Sequence, residues 1–169
     1  MAGGATPMTA GETMSGGCQC GAVRYRVGGE LGYPHLCHCR MCQKASGNYF
    51  MPLAAARQSE FTLTRAQPTW FHSSDLVRRG FCNACGTPLF YDVPGADFIN
   101  IVLGSLDDPH AVKPVAQSNT GRKMSWFHEL DQLPVEANEE TPDRENAIAA
   151  SNHQHPDHDA AEWPTGASS

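Results

Sequence analysis

GGCQCGAVRYRV, residues Gly16–Val27, sets two cysteines on a glycine-flanked turn and runs straight into a segment where Val23, Tyr25 and Val27 alternate with Arg24 and Arg26. A period of two is that of a half-buried strand over Ala22–Val27. The arrangement returns in FCNACGTPLFYDV, where Cys82 and Cys85 occupy a second turn ahead of an expected strand at Leu89–Val93. Between them Phe61–Arg65 alternates as a strand, with Thr69–Ser73 as its expected partner, and Asp75–Phe81 leads into the second turn. Further on, Phe98–Leu103 is a mostly apolar run stopped by the turn residues of GSLDDP. In CHCRMCQKASG, Cys37–Gly47, a short helix is expected from about Met41 to Gly47, where glycine readily takes the left-handed conformation that ends a helix. The pattern is that of a β-rich meander with few short helices.

The remaining sequence bounds this reading. The chain has 169 residues, enough for one domain with modest tails, and 40% hydrophobic against 18% charged residues permits a compact core. No run approaches the roughly 18 apolar residues of a membrane span, and Met1–Gly17 has neither a basic nor an apolar leader segment, so a soluble, unsecreted, cytoplasmic protein with no membrane partner is expected. Residues 1–14 read as a flexible leader, 15–135 as the folded domain and 136–169 as an acidic, largely disordered tail. In that tail Thr141-Pro142-Asp143 can start a short helix through about Ala150, and His153, His155 and His158 are expected to be solvated. Eight acidic residues against Arg144 alone give the tail −7, which leaves the rest of the chain at +1 of the total −6. A nearly neutral body has no basic stripe for phosphate neutralisation, which argues against nucleic acid as a partner.

Seven cysteines remain to be explained, and an odd number without a secretion signal points to metal or reactive thiols instead of disulfides. Cys18, Cys20, Cys82 and Cys85 form two short pairs, each followed by glycine, which suits a closed tetrahedral zinc site; buried thiols or an iron–sulfur cluster are the alternatives. Cys37, Cys39 and Cys42 form a trio. Three thiolates leave a zinc coordination position open, and a soft site of net charge −1 suits an incoming thiol better than water. A redox pair with a spare thiol, or a second closed site completed by His35 or His38, would use the same residues.

Together GGCQCGAVRY, CHCRMCQKASG, RRGFCNACGTPLFY, the GSLDDP turn and the final SWF…LP at Ser125–Pro134 resemble the glutathione-dependent formaldehyde-activating (GFA) family, which includes centromere-protein-V-like members. The resemblance covers about Ser15 to Pro134. It implies a β-tent-like fold of stacked antiparallel sheets, a structural zinc on Cys18, Cys20, Cys82 and Cys85 and a second zinc on Cys37, Cys39 and Cys42, two ions per chain. It implies carbon–sulfur lyase chemistry: reversible addition of glutathione, or a similar small thiol, to formaldehyde or another small aldehyde. Glutathione carries two carboxylates, so Arg40, Lys44, Arg57, Arg122 and Lys123 are candidate clamps, each of which is otherwise a solvated surface charge. A non-catalytic zinc scaffold or interaction module, and chromatin association borrowed from the centromere-protein relatives, are the competing functions.

Overall fold

The structure is a computed structural model and describes residues 13–135 and 142–161. Strands β1 (Thr13–Gly17) and β2 (Arg24–Gly28) form an antiparallel hairpin whose turn carries Cys18 and Cys20. Strand β5 (Phe61–Leu63) pairs with the other edge of β2 and completes a three-stranded sheet. The second sheet has seven strands in the order β10-β3-β4-β9-β8-β7-β6. Its members are β3 (Gly32–Cys37), β4 (Met51–Arg57), β6 (Thr69–His72), β7 (Arg78–Phe81), β8 (Pro88–Asp92), β9 (Phe98–Val102) and β10 (Ala116–Ser118). Every pairing is antiparallel except that of β10 with β3. The fold is mainly β, in two sheets with few short helices, as the sequence implied.

Strand periodicity divides the large sheet's side chains between two cores. Ala54, Ala56, Phe90, Ile99 and Ile101 face the small sheet, where they meet Val23, Tyr25 and Val27 in the principal core. Residues of the opposite parity, Met51, Leu53, Tyr91 and Val102, form a second cluster with Cys37, Cys39, Cys42 and Ala45 beneath helix α1 (Arg40–Ser46). Helix α1 ends at Gly47, whose φ of 63° lets its N–H reach the Gln43 carbonyl. The expected helix is therefore present, one residue earlier at its start.

Several expectations change. Thr69–His72 is a strand but pairs with β7, while Phe61–Leu63 joins β2, so the two are not partners. Thr13 and Met14, assigned to the leader, belong to β1, with Met14 buried; residues 1–12 lie outside the described residues. Strands β3, β4 and β10 carried no strand signal, although β4 is central to the large sheet. In the tail, helix α2 (Pro142–Ala150) forms as expected, whereas its N-cap Thr141 lies outside the described residues. Residues 152–161 are tied to the domain, so His155 is buried while His153 and His158 are exposed as expected: the His155 N–H donates to the Gln19 carbonyl at 2.8 Å, Arg65 donates to the Ala160 carbonyl at 2.6 Å, and Asp159 pairs with both Arg24 and Arg26. Specific polar contacts to a formed surface hold a segment whose composition offers little apolar area. No helix among the described residues is long and apolar enough to cross a membrane.

Candidate metal centres

The two glycine-bearing turns are built alike. Cys18 N–H donates to the Val23 carbonyl and Cys82 N–H to the Thr87 carbonyl, both at 3.0 Å, and each loop curls through a left-handed glycine, Gly21 at φ 74° and Gly86 at φ 78°. The curl brings the Val23 N–H to 3.2 Å from the Cys18 sulfur. One turn joins β1 to β2 and the other joins β7 to β8, so the quartet links the small sheet to the large one. The four sulfurs lie within 4.8 Å of one another, with Cys18–Cys20 at 3.6 Å and Cys20–Cys82 at 3.8 Å. Zinc–sulfur bonds of 2.3 Å in a tetrahedron place sulfurs about 3.8 Å apart, so the quartet fits a zinc ion as it stands. Burial pushes the Cys18 and Cys20 thiols up. Burial acts the same way on Cys85, but the Thr87 hydroxyl and nearby backbone N–H groups outweigh it and hold this thiol at about 6.

The trio is assembled from one strand end and one helix start. Cys37 ends β3, Cys39 is the N-cap of α1, and Cys42 lies in the first helical turn, where its N–H donates to the Cys39 sulfur at 3.4 Å. The three sulfurs lie within 4.8 Å of one another, and among the described residues no histidine or carboxylate joins them. His35 and His38 flank Cys37 but turn elsewhere: His35 Nδ1 bonds the Tyr33 carbonyl, and His38 Nε2 meets Gln117 at 3.1 Å. The trio is thus a three-sulfur set, one ligand short of a closed tetrahedron. Burial tends to raise the Cys37 thiol, yet the Cys39 backbone N–H and the nearby Ser118 hydroxyl bring it below its ordinary value, while burial pushes Cys42 up to about 12.

Arg79 is not among the residues the sequence singled out. It faces the trio because it stands in register with Tyr91 on the α1 side of the sheet. Its Nη2 donates to the Cys42 sulfur at 3.6 Å, and its guanidinium lies 5.1 Å from the Tyr91 ring centroid. Beside it a cleft of about 310 Å³ is lined by Arg40, Met41, Lys44, Ala45, Phe71, Ser73 and Arg79. Arg40 and Lys44 therefore share one cleft with Arg79, which contacts Cys42, while none of the three cysteines lines that cleft. Arg122 is tied to α1 through its backbone, its carbonyl accepting from Gln43 at 3.0 Å, and Lys123 reaches Gln117. Arg57 is not brought in: it ends β4 opposite Phe98, while Met51, at the other end, pairs with Cys37. Six residue steps along the strand separate the two, about 20 Å.

The family model described as glutathione-dependent formaldehyde-activating enzyme, GFA, matches residues 13–122, which contain both sulfur sets. The chain belongs to the GFA family. A GFA relative from Halomonas elongata, named "Putative glutathione-dependent formaldehyde-activating enzyme", is 23% identical over 160 residues, covering 89% of this chain and 93% of its own. A crystal structure of a Rhodobacter sphaeroides protein shares the GFA chain's fold with a TM-score of 0.51 at 23% identity, covering 62% of this chain and all of that one.

Proposed function

We propose that this GFA protein is a zinc-dependent carbon–sulfur lyase-type enzyme that reversibly adds a small thiol, glutathione or one like it, to formaldehyde or another small aldehyde in the cytoplasm. The observation that carries this reading is a three-sulfur set with no fourth ligand among the described residues, linked through Arg79 to a cleft bearing two exposed cations. Cys18, Cys20, Cys82 and Cys85 would hold a structural zinc, and Cys37, Cys39 and Cys42 a second one. Zinc on the trio supplies a soft Lewis acid that favours sulfur in its thiolate form. Arg40 and Lys44 offer charge to the carboxylates of the thiol, aided by Arg122 and Lys123 from the adjoining segment, while Met41, Ala45 and Phe71 give the cleft an apolar wall. In the reaction the thiol gives up its proton to solvent, a sulfur–carbon bond forms, the carbonyl π pair moves to oxygen, and that oxygen takes a proton from solvent; the reverse breaks the same bond.

A panel of thiols and aldehydes assayed on zinc-loaded wild type and Cys39→Ser tests this. The expected result is thiol-dependent loss of aldehyde in the wild type, abolished in the folded variant; equal turnover in both proteins would refute it. A purely structural trio is the competing reading, favoured by the burial of Cys37 and Cys42, and it predicts a metal indifferent to added thiol.

A further inference from the structure

Arg79 is 6% exposed, yet among the described residues it makes no salt bridge. The other buried arginine, Arg24, is held by two carboxylates, and Arg78, next in sequence, pairs with Asp92 at 2.6 Å. An arginine withdrawn from water needs a compensating negative charge. The polar atoms its guanidinium touches are sulfurs, Cys42 Sγ and Met51 Sδ, each at 3.6 Å, and its Nε is buried without a hydrogen-bond partner. Of these two sulfurs, only the cysteine can become an anion. A divalent ion with three thiolates carries −1, so the centre and Arg79 together sum to zero.

We propose that Arg79 is the buried counter-cation of the Cys37/Cys39/Cys42 centre, a positioning residue that allows three thiolates and a divalent ion to carry net negative charge beneath α1. The proposal rests on the reading of the trio as a metal centre. Arg79 steadies the metal-bound form through its charge, and it does so from the wall of the cleft it shares with Arg40 and Lys44. An arginine there fits a three-thiolate site, whereas a neutral ligand set would leave its charge uncompensated.

The test is chelator competition on the zinc-loaded full chain for wild type, Arg79→Met and Arg79→Lys, with the tightly held quartet zinc as an internal measure of folding. Arg79→Met is expected to release the second zinc at roughly 10- to 100-fold lower chelator concentration, the effect typical of groups that support metal ligands. Its first zinc should be unaffected, and Arg79→Lys should stay within a few-fold of wild type. An Arg79→Met protein that holds the second zinc as tightly as wild type overturns the proposal, as does a folded Arg79→Lys protein that loses it. If Arg79→Met does not fold, the lysine variant decides alone. A wild type binding a single zinc overturns the metal reading of the trio, and the proposal with it; two zincs in wild type with no effect of either substitution overturns the proposal only.

Discussion

Arg24 illustrates how much one residue carries in this fold. It occupies the solvent parity of β2 yet is only 2% exposed, because Asp107 from the GSLDDP turn takes both its terminal nitrogens, at 2.7 and 2.5 Å, and Asp159 from the tail adds a third contact at 2.8 Å. Arg24→Ala would leave the half-buried Asp107 without its cationic partner, at a cost of about 1–3 kcal/mol, readable as a lower urea midpoint. The same pairs set the acid limit. Burial works to raise Asp107 and Asp159, but their hydrogen bonds to Arg24, aided by Ser15 and Arg26 respectively, hold both below the usual carboxylate range. The folded protein therefore binds these protons later than the unfolded chain. The stabilisation is complete above about pH 4 and is lost as pH falls through the depressed folded values. Urea melts between pH 7 and pH 2 should show this loss in wild type and a shallower one in Asp107→Asn; identical acid limbs would contradict it.

Among the elements, residues 152–161 cover the first cysteine turn. His155 is seated against Gly21, and Gln154 and His155 contact Gln19 between the two cysteines. A chain ending at Val135 is expected to lose a few degrees of Tm, since about 1 kcal/mol shifts a domain of this size by roughly 2–4 °C. Faster amide exchange in the Cys18–Val23 turn should accompany it, and unchanged exchange would show that the segment carries no load. Elements of this kind were poorly legible in the sequence, for identifiable reasons. Strand β2 and the run Phe98–Val102 announced themselves through Val23, Tyr25, Val27 and an apolar block. By contrast β4, MPLAAAR, is buried on both faces and filled with alanine, so no period emerges. Strand β10 is three residues long. The grouping of the cysteines into a quartet and a trio was legible from spacing, whereas closure of the trio by His35 or His38 stayed open because a histidine's direction is not written in its position. Arg79 and Asp159 were not legible, since a charged side chain shows its burial only once the partners that surround it are known.

On the scale of the whole molecule, the quartet joins turns from two different sheets, whereas the trio sits within one sheet and its helix. Losing a structural zinc removes binding free energy of about 10–16 kcal/mol, comparable with the 5–15 kcal/mol that holds a domain folded. Cys82→Ser is therefore expected to unfold the chain, by circular dichroism, while Cys39→Ser keeps native spectra and loses one zinc. Equal stability of the two variants would contradict this division. Substrate recognition is expected to be local and modest: Arg40→Ala and Lys44→Ala should each raise KM for glutathione about two- to fivefold, the span of an exposed ion pair, with little change for an uncharged thiol and none for Arg57→Ala. The most direct test is the zinc K-edge X-ray absorption of the two-zinc protein before and after glutathione is added. The predicted mean is about 3.5 sulfurs per zinc, rising to about 4 with the thiol; a single zinc per chain, or a mean that glutathione leaves unmoved, would contradict it.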